Sequence, residues 1–156
     1  MTDLRLRAIG AGDLRGVAAL EAAVFGDPWT EVAFRDLLSL DHIHGVIAED
    51  VEGHLVGYAV CSSAADEGEI LNLAVAEEAR GAGAGTALLD ASLAWLAGRG
   101  AVQVYLEVRR SNVAAIAMYH RAGFATVSVR KDYYRMPAED AVVMTFDFGL
   151  GSARKR

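Results

Sequence analysis

The sequence predicts a mixed α/β (α+β) fold, with a mostly antiparallel central sheet of about seven strands flanked by about four helices. Segments that alternate apolar and polar residues occur along the whole chain, and other segments carry apolar residues at helical spacing. Two of the predicted helices lie between strands, where crossovers produce parallel strand pairs. A length of 156 residues suits one domain with a substantial core. We therefore expect a single domain over residues 1–148 and a disordered basic tail over residues 149–156.

The first half of the chain predicts one strand, two helices and then three strands. Residues 4–8 alternate apolar and polar side chains, as in a short strand. Helices are expected after Asp13 and after Thr30, because both are suitable N-cap residues. The three strands that follow are predicted at residues 43–49, 54–62 and 67–75.

The second half predicts two helices that alternate with strands, followed by two final strands. The glycines at positions 98, 100 and 123 are placed to end the two helices. Residues 131–138 are predicted to form a loop that borders a substrate pocket. The predicted elements are helices at 83–99 and 112–122, and strands at 102–108, 124–130 and 141–148.

Charge and cysteine content narrow the class of protein. The net charge of −6 disfavours a nucleic-acid-binding surface and suits a cationic partner such as an amine, so we expect no DNA binding. The N-terminus lacks a signal-peptide pattern, and the most apolar stretch, 86–97, is too short to cross a bilayer. We therefore expect a cytoplasmic protein without membrane contact, either a monomer or a weak homo-oligomer. Cys61 is the single cysteine, which excludes an internal disulfide, and it is expected to be a buried core residue.

A glycine-rich segment between a strand and a helix is the most informative motif in the chain. Arg80-Gly81-Ala82-Gly83-Ala84-Gly85-Thr86 follows the strand that ends Leu73-Ala74-Val75. Glycines allow close approach of a ligand, a helix start offers free N–H groups to an anion, and Arg80 adds a cation. A plain strand–helix connection would not need this alternation of small residues. A dinucleotide site is disfavoured because Thr86 occupies the third glycine position, although Glu107 ends the next strand.

Arg80, Gly83 and Gly85 resemble the pyrophosphate loop of the GNAT superfamily, Arg/Gln-x-x-Gly-x-Gly/Ala. The resemblance implies the GNAT acyl-CoA N-acyltransferase fold and acetyl-CoA as co-substrate. It also implies that the backbone of residues 73–75 binds the acetyl-pantetheine arm and that the amides of residues 81–86 hold the pyrophosphate. The residues that it assigns to the coenzyme, with Asn112 from the next motif, are Leu73, Ala74, Val75, Arg80, Gly81, Ala82, Gly83, Ala84, Gly85, Thr86 and Asn112.

Reactive side chains also follow the next predicted strand. Glu107 ends that strand, Asn112 is a candidate N-cap for the following helix, and Tyr119 lies two turns further along the same helical face. Acetyl transfer to an amine needs a neutral nitrogen, and a carboxylate can accept the proton directly or through water. A tyrosine hydroxyl can protonate the leaving thiolate, and backbone N–H groups of residues 73–75 can polarise the thioester carbonyl. No metal is needed for this chemistry, and the histidines, which lie at positions 42, 44, 54 and 120, show no ligand spacing.

Residues 106–119 resemble the RimI branch of the GNAT superfamily, through Leu-Glu-Val-Arg-x-Ser-Asn-x-Ala-Ala-Ile-x-x-Tyr. Residues 28–30, 130–134 and 139–144 resemble further stretches of the same branch. Its members acetylate protein N-termini, and the best-known substrate is the N-terminal alanine of ribosomal protein eighteen of the small subunit. The resemblance implies that Glu107 is the general base and Tyr119 the general acid. The residues expected to bind the peptide are Trp29, Tyr133, Tyr134 and Glu139.

Two other functions stay open at this point. An enzyme that acetylates lysine side chains or small amines would share both the glycine loop and the catalytic pair. An acetyl-CoA-binding module without turnover would share only the loop, and the presence of both Glu107 and Tyr119 argues against it. The stretches at residues 28–29, 133–134 and 139–140 are the features that favour a peptide N-terminus over other amines.

Overall fold

One mixed sheet forms the centre of the molecule in the computed structural model, which describes residues 3–135 and 137–149. Its strands run in the order β1-β2-β3-β4-β5-β7-β6, and β4–β5 is the parallel pair in an otherwise antiparallel sheet. The predicted mixed, mostly antiparallel seven-stranded sheet is therefore confirmed. Apart from Gly149, the predicted tail lies outside the described residues. The strands are β1 (Arg5–Ala8), β2 (Ile43–Glu49), β3 (Leu55–Ala64), β4 (Glu67–Val75), β5 (Gln103–Arg109), β6 (Ala125–Tyr134) and β7 (Glu139–Asp147).

The described residues also form the four predicted α-helices. Thr30 caps α2, since its hydroxyl oxygen accepts from the Ala33 N–H at 3.1 Å. The Asp13 side chain does not cap the first helix as predicted, because it accepts instead from the Gly10 N–H and from Arg7. None of the helices in the described part of the chain is long and apolar enough to cross a membrane. The helices are α1 (Leu14–Val24), α2 (Glu31–Leu38), α3 (Ala84–Gly98) and α4 (Val113–Ala122).

The two faces of the sheet carry different helices. Helices α1 and α2 pack with the Tyr58 and Val60 face of β3, in an apolar cluster that also contains Phe34. Helices α3 and α4 pack on the opposite face, where Leu89, Leu96 and the completely buried Cys61 lie. Cys61 is thus a core residue, as predicted. Each strand contributes to both faces because successive side chains alternate.

The parallel pair β4–β5 separates halfway along β4. The two strands pair from Glu67–Gln103 to Ile70–Leu106, and the described pairing ends there. The register of β4 with β3 shifts at the same level, because Leu71 is an extra residue between the paired positions. The second half of β4 therefore continues beside β3 while β5 diverges from it, which leaves a gap between the carboxyl ends of the two strands.

Strand β6 extends further than predicted. Residues 131–138 were expected to be a loop, but β6 continues to Tyr134, which pairs with Glu139. The register shifts between Arg130 and Tyr134, and Asp132 has a left-handed φ of 53° within this shift. The Asp132 N–H donates to Asp140 Oδ1 at 2.9 Å, so β7 holds the irregular segment in place.

Candidate active site

The glycine loop begins α3 with an uncapped end. Gly81 and Gly83 have φ values of 85° and 91°, and a Cβ at either position would meet nothing within 4 Å. Gly83 is the N-cap residue and offers no side-chain bond to the helix. The first intrahelical hydrogen bond runs from the Ala87 N–H to the Gly83 carbonyl, so the N–H groups of residues 84–86 point out of the helix end. This end of α3 can hold an anion.

The edge of β4 that faces the gap carries backbone groups suited to an extended ligand. Ala76 donates its N–H to Val56 of β3 at 2.8 Å. Because backbone groups alternate in direction along a strand, those of Ala74 also point to β3, and those of Leu73 and Val75 point to the gap. Arg80 Nε donates to the Val75 carbonyl at 3.2 Å, which joins the glycine loop to this edge. The gap, the free edge and the helix end together suit a long thiol cofactor that ends in phosphates, such as coenzyme A.

Glu107 lies on the sheet face that carries α1 and α2, in the part of that face formed by β5–β7. Its carboxylate is 3.0 Å from Arg130 Nε of β6. Tyr133 approaches the same carboxylate, and hydrogen bonding with Glu107 is the main cause of the raised pKa of Tyr133. The side chain of Glu107 is 15% exposed, so it is held on two sides yet still reaches solvent. Sequence reasoning did not identify Arg130 as a partner of Glu107, because the ion pair depends on the register of three strands.

A second carboxylate lies next to Glu107 on the same face. Glu69 of β4 pairs in register with Tyr105 of β5, and the Tyr105 hydroxyl donates to Glu69 Oε1 at 2.9 Å. Burial raises the pKa of Glu69 and the charge of Glu107 raises it further, while the Tyr105 hydrogen bond opposes the shift. Burial also raises the pKa of Tyr105 to about 12. Sequence reasoning missed this pair, although strict alternation along β5 places Tyr105 on the same face as Glu107.

Tyr119 is buried on α4, with its ring 5.6 Å from that of Phe124 and 6% of its surface exposed. Burial raises the pKa of its hydroxyl, and Tyr134 raises it further. Glu107 in turn raises the pKa of Tyr134, which burial brings to about 12. The contacts of the Tyr134 ring are with Tyr133 and with the guanidinium of Arg109, which lies 4.5 Å from the ring centroid. A phenol with a raised pKa stays protonated at neutral pH and can donate a proton.

The residues predicted to bind peptide fall into two groups over the same sheet face. Trp29 lies before α2 and packs against Phe34, with ring centroids 5.3 Å apart. Tyr133 and Tyr134 lie at the end of β6, with their rings 5.0 Å apart. Glu139 accepts from the Ser111 N–H and from Arg109, which lowers the pKa of Glu139. Its carboxylate thus joins the start of β7 to the end of β5 and to the β5–α4 turn.

Asn112 caps α4, since its side-chain oxygen accepts from the Ala115 N–H at 3.2 Å. Its amide nitrogen has no protein partner among the described residues and could donate to a ligand.

Apart from the expected sites, Asp50, Glu52 and His54 approach one another in the β2–β3 turn, with potential ligand atoms within 4.8 Å. Asp50 also accepts from the N–H groups of Glu52 and His54, so it stabilises the turn itself.

A gap between diverging parallel strands, followed by a glycine loop at a helix start, is the arrangement expected of an acyl-CoA-dependent acyltransferase. The chain belongs to the acetyltransferase (GNAT) family, whose model matches residues 14–124. It is an acetyl-CoA-dependent N-acetyltransferase similar to RimI.

Comparison with individual proteins gives the same family. The N-alpha-acetyltransferase RimI of Mycobacterium tuberculosis is 40% identical over 148 residues, which cover 91% of this chain and 91% of that protein. The ribosomal protein bS18-alanine N-acetyltransferase of Escherichia coli is 30% identical over 140 residues, covering 88% and 93%. The crystal structure of the E. coli enzyme matches 93% of this chain and 94% of its own, with a TM-score of 0.83 and 28% identity. Arabidopsis thaliana NAA60 in complex with acetyl-CoA shares the fold, with a TM-score of 0.85 at 19% identity over 94% of this chain and 99% of its own.

The raised pKa of Glu69 predicts a pH-dependent cost to stability. A raised carboxyl pKa means that the folded protein holds the proton more tightly than the unfolded chain, so stability is lost as pH rises from about 4.3, the ordinary Glu value, through the folded value. Glu69→Gln should therefore raise the Tm by a few degrees at pH 7, while the amide oxygen still accepts from Tyr105. The difference should vanish near pH 4, as measured by calorimetry at both pH values.

Glu67→Gln is the matched control, because it removes the same charge from an exposed position two residues away on β4. It should leave the Tm unchanged at both pH values. Equal Tm values for Glu69→Gln and the parent at pH 7 would show that burial of the ionised Glu69 carboxylate does not destabilise the fold.

Proposed function

We propose that this protein transfers the acetyl group of acetyl-CoA to the α-amine of a protein N-terminus, the N-terminal alanine of ribosomal protein bS18. The names of the Mycobacterium tuberculosis and Escherichia coli relatives support this reaction and substrate. The observation that carries the mechanism is the position of Glu107. It lies beside the gap between β4 and β5, it is held by Arg130 and Tyr133, and it remains in contact with solvent.

Acetyl-CoA would enter the gap with its phosphates at the glycine loop. The outward N–H groups at the start of α3, together with Arg80, suit the pyrophosphate. The backbone of Leu73 and Val75 would pair with the pantetheine arm, as a β-strand pairs with a neighbour. In this arrangement Ala74 contributes mainly through its pairing with β3, and the Asn112 amide nitrogen is a further donor to the coenzyme. The remaining loop residues, Gly81, Ala82, Ala84, Gly85 and Thr86, would contribute backbone amides and close approach.

Transfer then needs two proton movements. The carboxylate of Glu107 accepts a proton from the attacking α-amine, directly or through water. An α-amine has a pKa of about 7.7–8.0, so roughly a tenth of it is already neutral at pH 7, far more than for a lysine side chain. Tyr119, which the raised pKa keeps protonated, donates to the sulfur of the leaving coenzyme A. The backbone N–H groups that face the gap stabilise the charge that develops on the thioester oxygen.

The peptide would lie on the sheet face that carries Glu107, between the segment that contains Trp29 and the end of β6. The aromatic rings of Trp29, Tyr133 and Tyr134 are placed around that surface, and Glu139 braces the β6–β7 connection beside it. Arg109 secures the same connection, because it donates to the carbonyls of Pro137 and Arg135. The β6–β7 side of the proposed peptide surface is therefore held by charged side chains that the peptide need not contact.

A peptide panel tests the reaction. Peptides with free N-terminal Ala, Ser, Met or Gly, including a copy of the ribosomal N-terminus, are incubated with acetyl-CoA beside N-blocked peptides that contain lysine. Mass spectrometry should show a gain of one acetyl group on the α-amine, strongest on the Ala peptide. Acetylation of lysine alone would instead support a side-chain acetyltransferase, and saturable acetyl-CoA binding without any product would support a binding module.

Substitution of the catalytic pair should separate chemistry from binding. Glu107→Gln should lower kcat by about 10²–10⁴-fold, since it removes the base. Tyr119→Phe keeps the ring packed on Phe124 and should lower kcat by about tenfold or more, because the proton donor is lost. Both variants should bind acetyl-CoA like the parent in calorimetry. Glu67→Gln controls for loss of a carboxylate on the sheet, and parental turnover in both catalytic variants would show that the roles are wrong.

Gly83 tests the glycine loop. An alanine at its φ of 91° costs about 1–2 kcal/mol in backbone strain, so Gly83→Ala should reorient the loop and its N–H groups. We expect acetyl-CoA affinity to fall by about fivefold or more, measured by calorimetry. Gly98→Ala is the matched control, because that glycine ends the same helix without a left-handed φ and its Cβ would meet nothing within 4 Å. An unchanged affinity in Gly83→Ala would remove the loop from the coenzyme site.

A further inference from the structure

Glu21 of α1 is a buried carboxylate that the proposed mechanism does not use. It is 2% exposed, within an apolar layer between α1 and the sheet. Its Oε1 accepts from the Tyr58 hydroxyl and from Asn72 Nδ2, the latter at 2.8 Å. Its Oε2 accepts from Asn72 Nδ2 at 3.0 Å and from the Trp29 N–H at 3.0 Å.

The carboxylate is compensated by hydrogen bonds alone. No ion pair to Glu21 occurs among the described residues, and every group that approaches it there is a neutral donor. Burial of a carboxylate is costly even when its hydrogen bonds are made. Replacing a buried charged group with an apolar residue of similar size often leaves the stability of the fold unchanged or increases it. Stability alone therefore gives little reason for an acid at this position.

Glu21 joins two parts of the proposed site, the segment between α1 and α2 and strand β4 of the sheet. Trp29 belongs to the segment between α1 and α2 that would contact the peptide. Asn72 follows the extra residue Leu71 and precedes Leu73, at the point where β4 leaves β5. The bond from the Trp29 N–H connects this segment to β4 through Glu21, and Tyr58 binds the same carboxylate from β3.

We infer that Glu21 is a positioning residue for the peptide, which sets the Trp29 segment at a fixed distance from β4. This inference rests on the proposed peptide acetylation. Glu21 contacts neither the proposed base nor the glycine loop in the described structure, so its loss should affect peptide binding more than coenzyme binding or chemistry. Glu21→Gln should raise the KM for the peptide by about tenfold, the effect expected for the loss of one hydrogen bond to a charged group. The kcat and the KM for acetyl-CoA should stay within about threefold of the parent.

A reciprocal exchange at Glu21 and Asn72 tests this role. In Glu21→Gln, either orientation of the new amide sets its NH₂ against the Asn72 NH₂, which donates to both oxygens of Glu21. Asn72→Asp places two carboxylates together. The double substitution Glu21→Gln with Asn72→Asp exchanges the carboxylate and the amide, so an amide NH₂ again faces a carboxylate in the same volume. The amide oxygen at position 21 can still accept from the Trp29 N–H. It should bring the peptide KM back to within about threefold of the parent.

Tyr58→Phe is the control within the network, because it removes a donor to Glu21 without altering the bonds to Trp29 or Asn72. It should lower the Tm while the peptide KM stays within about twofold of the parent.

Fluorescence gives a readout that does not depend on turnover. In a Trp95→Phe background Trp29 is the only remaining tryptophan, since the chain contains two. Glu21→Gln should make its emission more accessible to acrylamide quenching, and the double substitution should reverse the change. If Glu21→Gln does not fold, Glu21→Asp takes its place, because it keeps both oxygens but shortens their reach to the Trp29 N–H.

The outcomes separate the inference from the proposed function. If the parent acetylates no peptide, the proposed function fails, and quenching still shows whether Glu21 holds the Trp29 segment. If the parent is active and Glu21→Gln lowers the Tm but leaves both peptide KM and quenching unchanged, Glu21 is only structural and the inference is overturned. It is also overturned if the double substitution folds but restores neither quantity.

Discussion

The separation of β4 from β5 is the constraint on which the rest of the site depends. The extra residue Leu71 shifts β4 against β3, and the described pairing with β5 ends at Ile70–Leu106. Backbone groups inside a fold need partners, so the edge of β4 that carries Leu73 and Val75 is suited to a ligand that supplies them. Since β4 leads directly into the glycine loop, the uncapped start of α3 lies at the mouth of the same gap. One irregularity in one strand therefore determines the position of both the extended and the anionic parts of the proposed coenzyme site.

Strand β5 links the core to the reactive face. Val104, Leu106 and Val108 point into the apolar layer beneath α3 and α4, while Tyr105 and Glu107 point to the opposite face. Because side chains alternate along a strand, a slip of one residue would place Glu107 in the core and expose the three apolar side chains. Burial of these three apolar side chains therefore determines the sheet face on which Glu107 lies, independently of the contacts that Glu107 itself makes. Arg130 and Tyr133 then orient a carboxylate whose place is already determined by packing.

The features that the sequence predicted correctly are local ones. The number of strands and helices follows from periodicity, and the caps at Thr30 and Asn112 follow from residue type and spacing. The end of β6 was missed because its polar residues lack strand alternation, and its pairing depends on β7 across a shifted register. Glu21 was missed because a charged residue in a surface helix is usually solvated, although its spacing of four from Val17 places it on the buried face. The partners of Glu107 depend on how the strands pair in register, and no local sequence pattern predicts that register. The catalytic roles of Glu107 and Tyr119 stay predictions.

Glu21 and Tyr119 are both buried, but they differ in the hydrogen bonds that they make. This difference supports the roles that we propose for them. Glu21 accepts hydrogen bonds at both oxygens from groups on three elements, so its interactions are saturated and it is suited to hold its neighbours in place. Tyr119 lies against Phe124 in the apolar layer, and its hydroxyl makes no hydrogen bond to any described residue. Poor solvation of the phenolate raises the pKa of Tyr119, so the phenol stays protonated at neutral pH. The proposed positioning by Glu21 and the proposed proton transfer by Tyr119 therefore lie on opposite faces of one sheet.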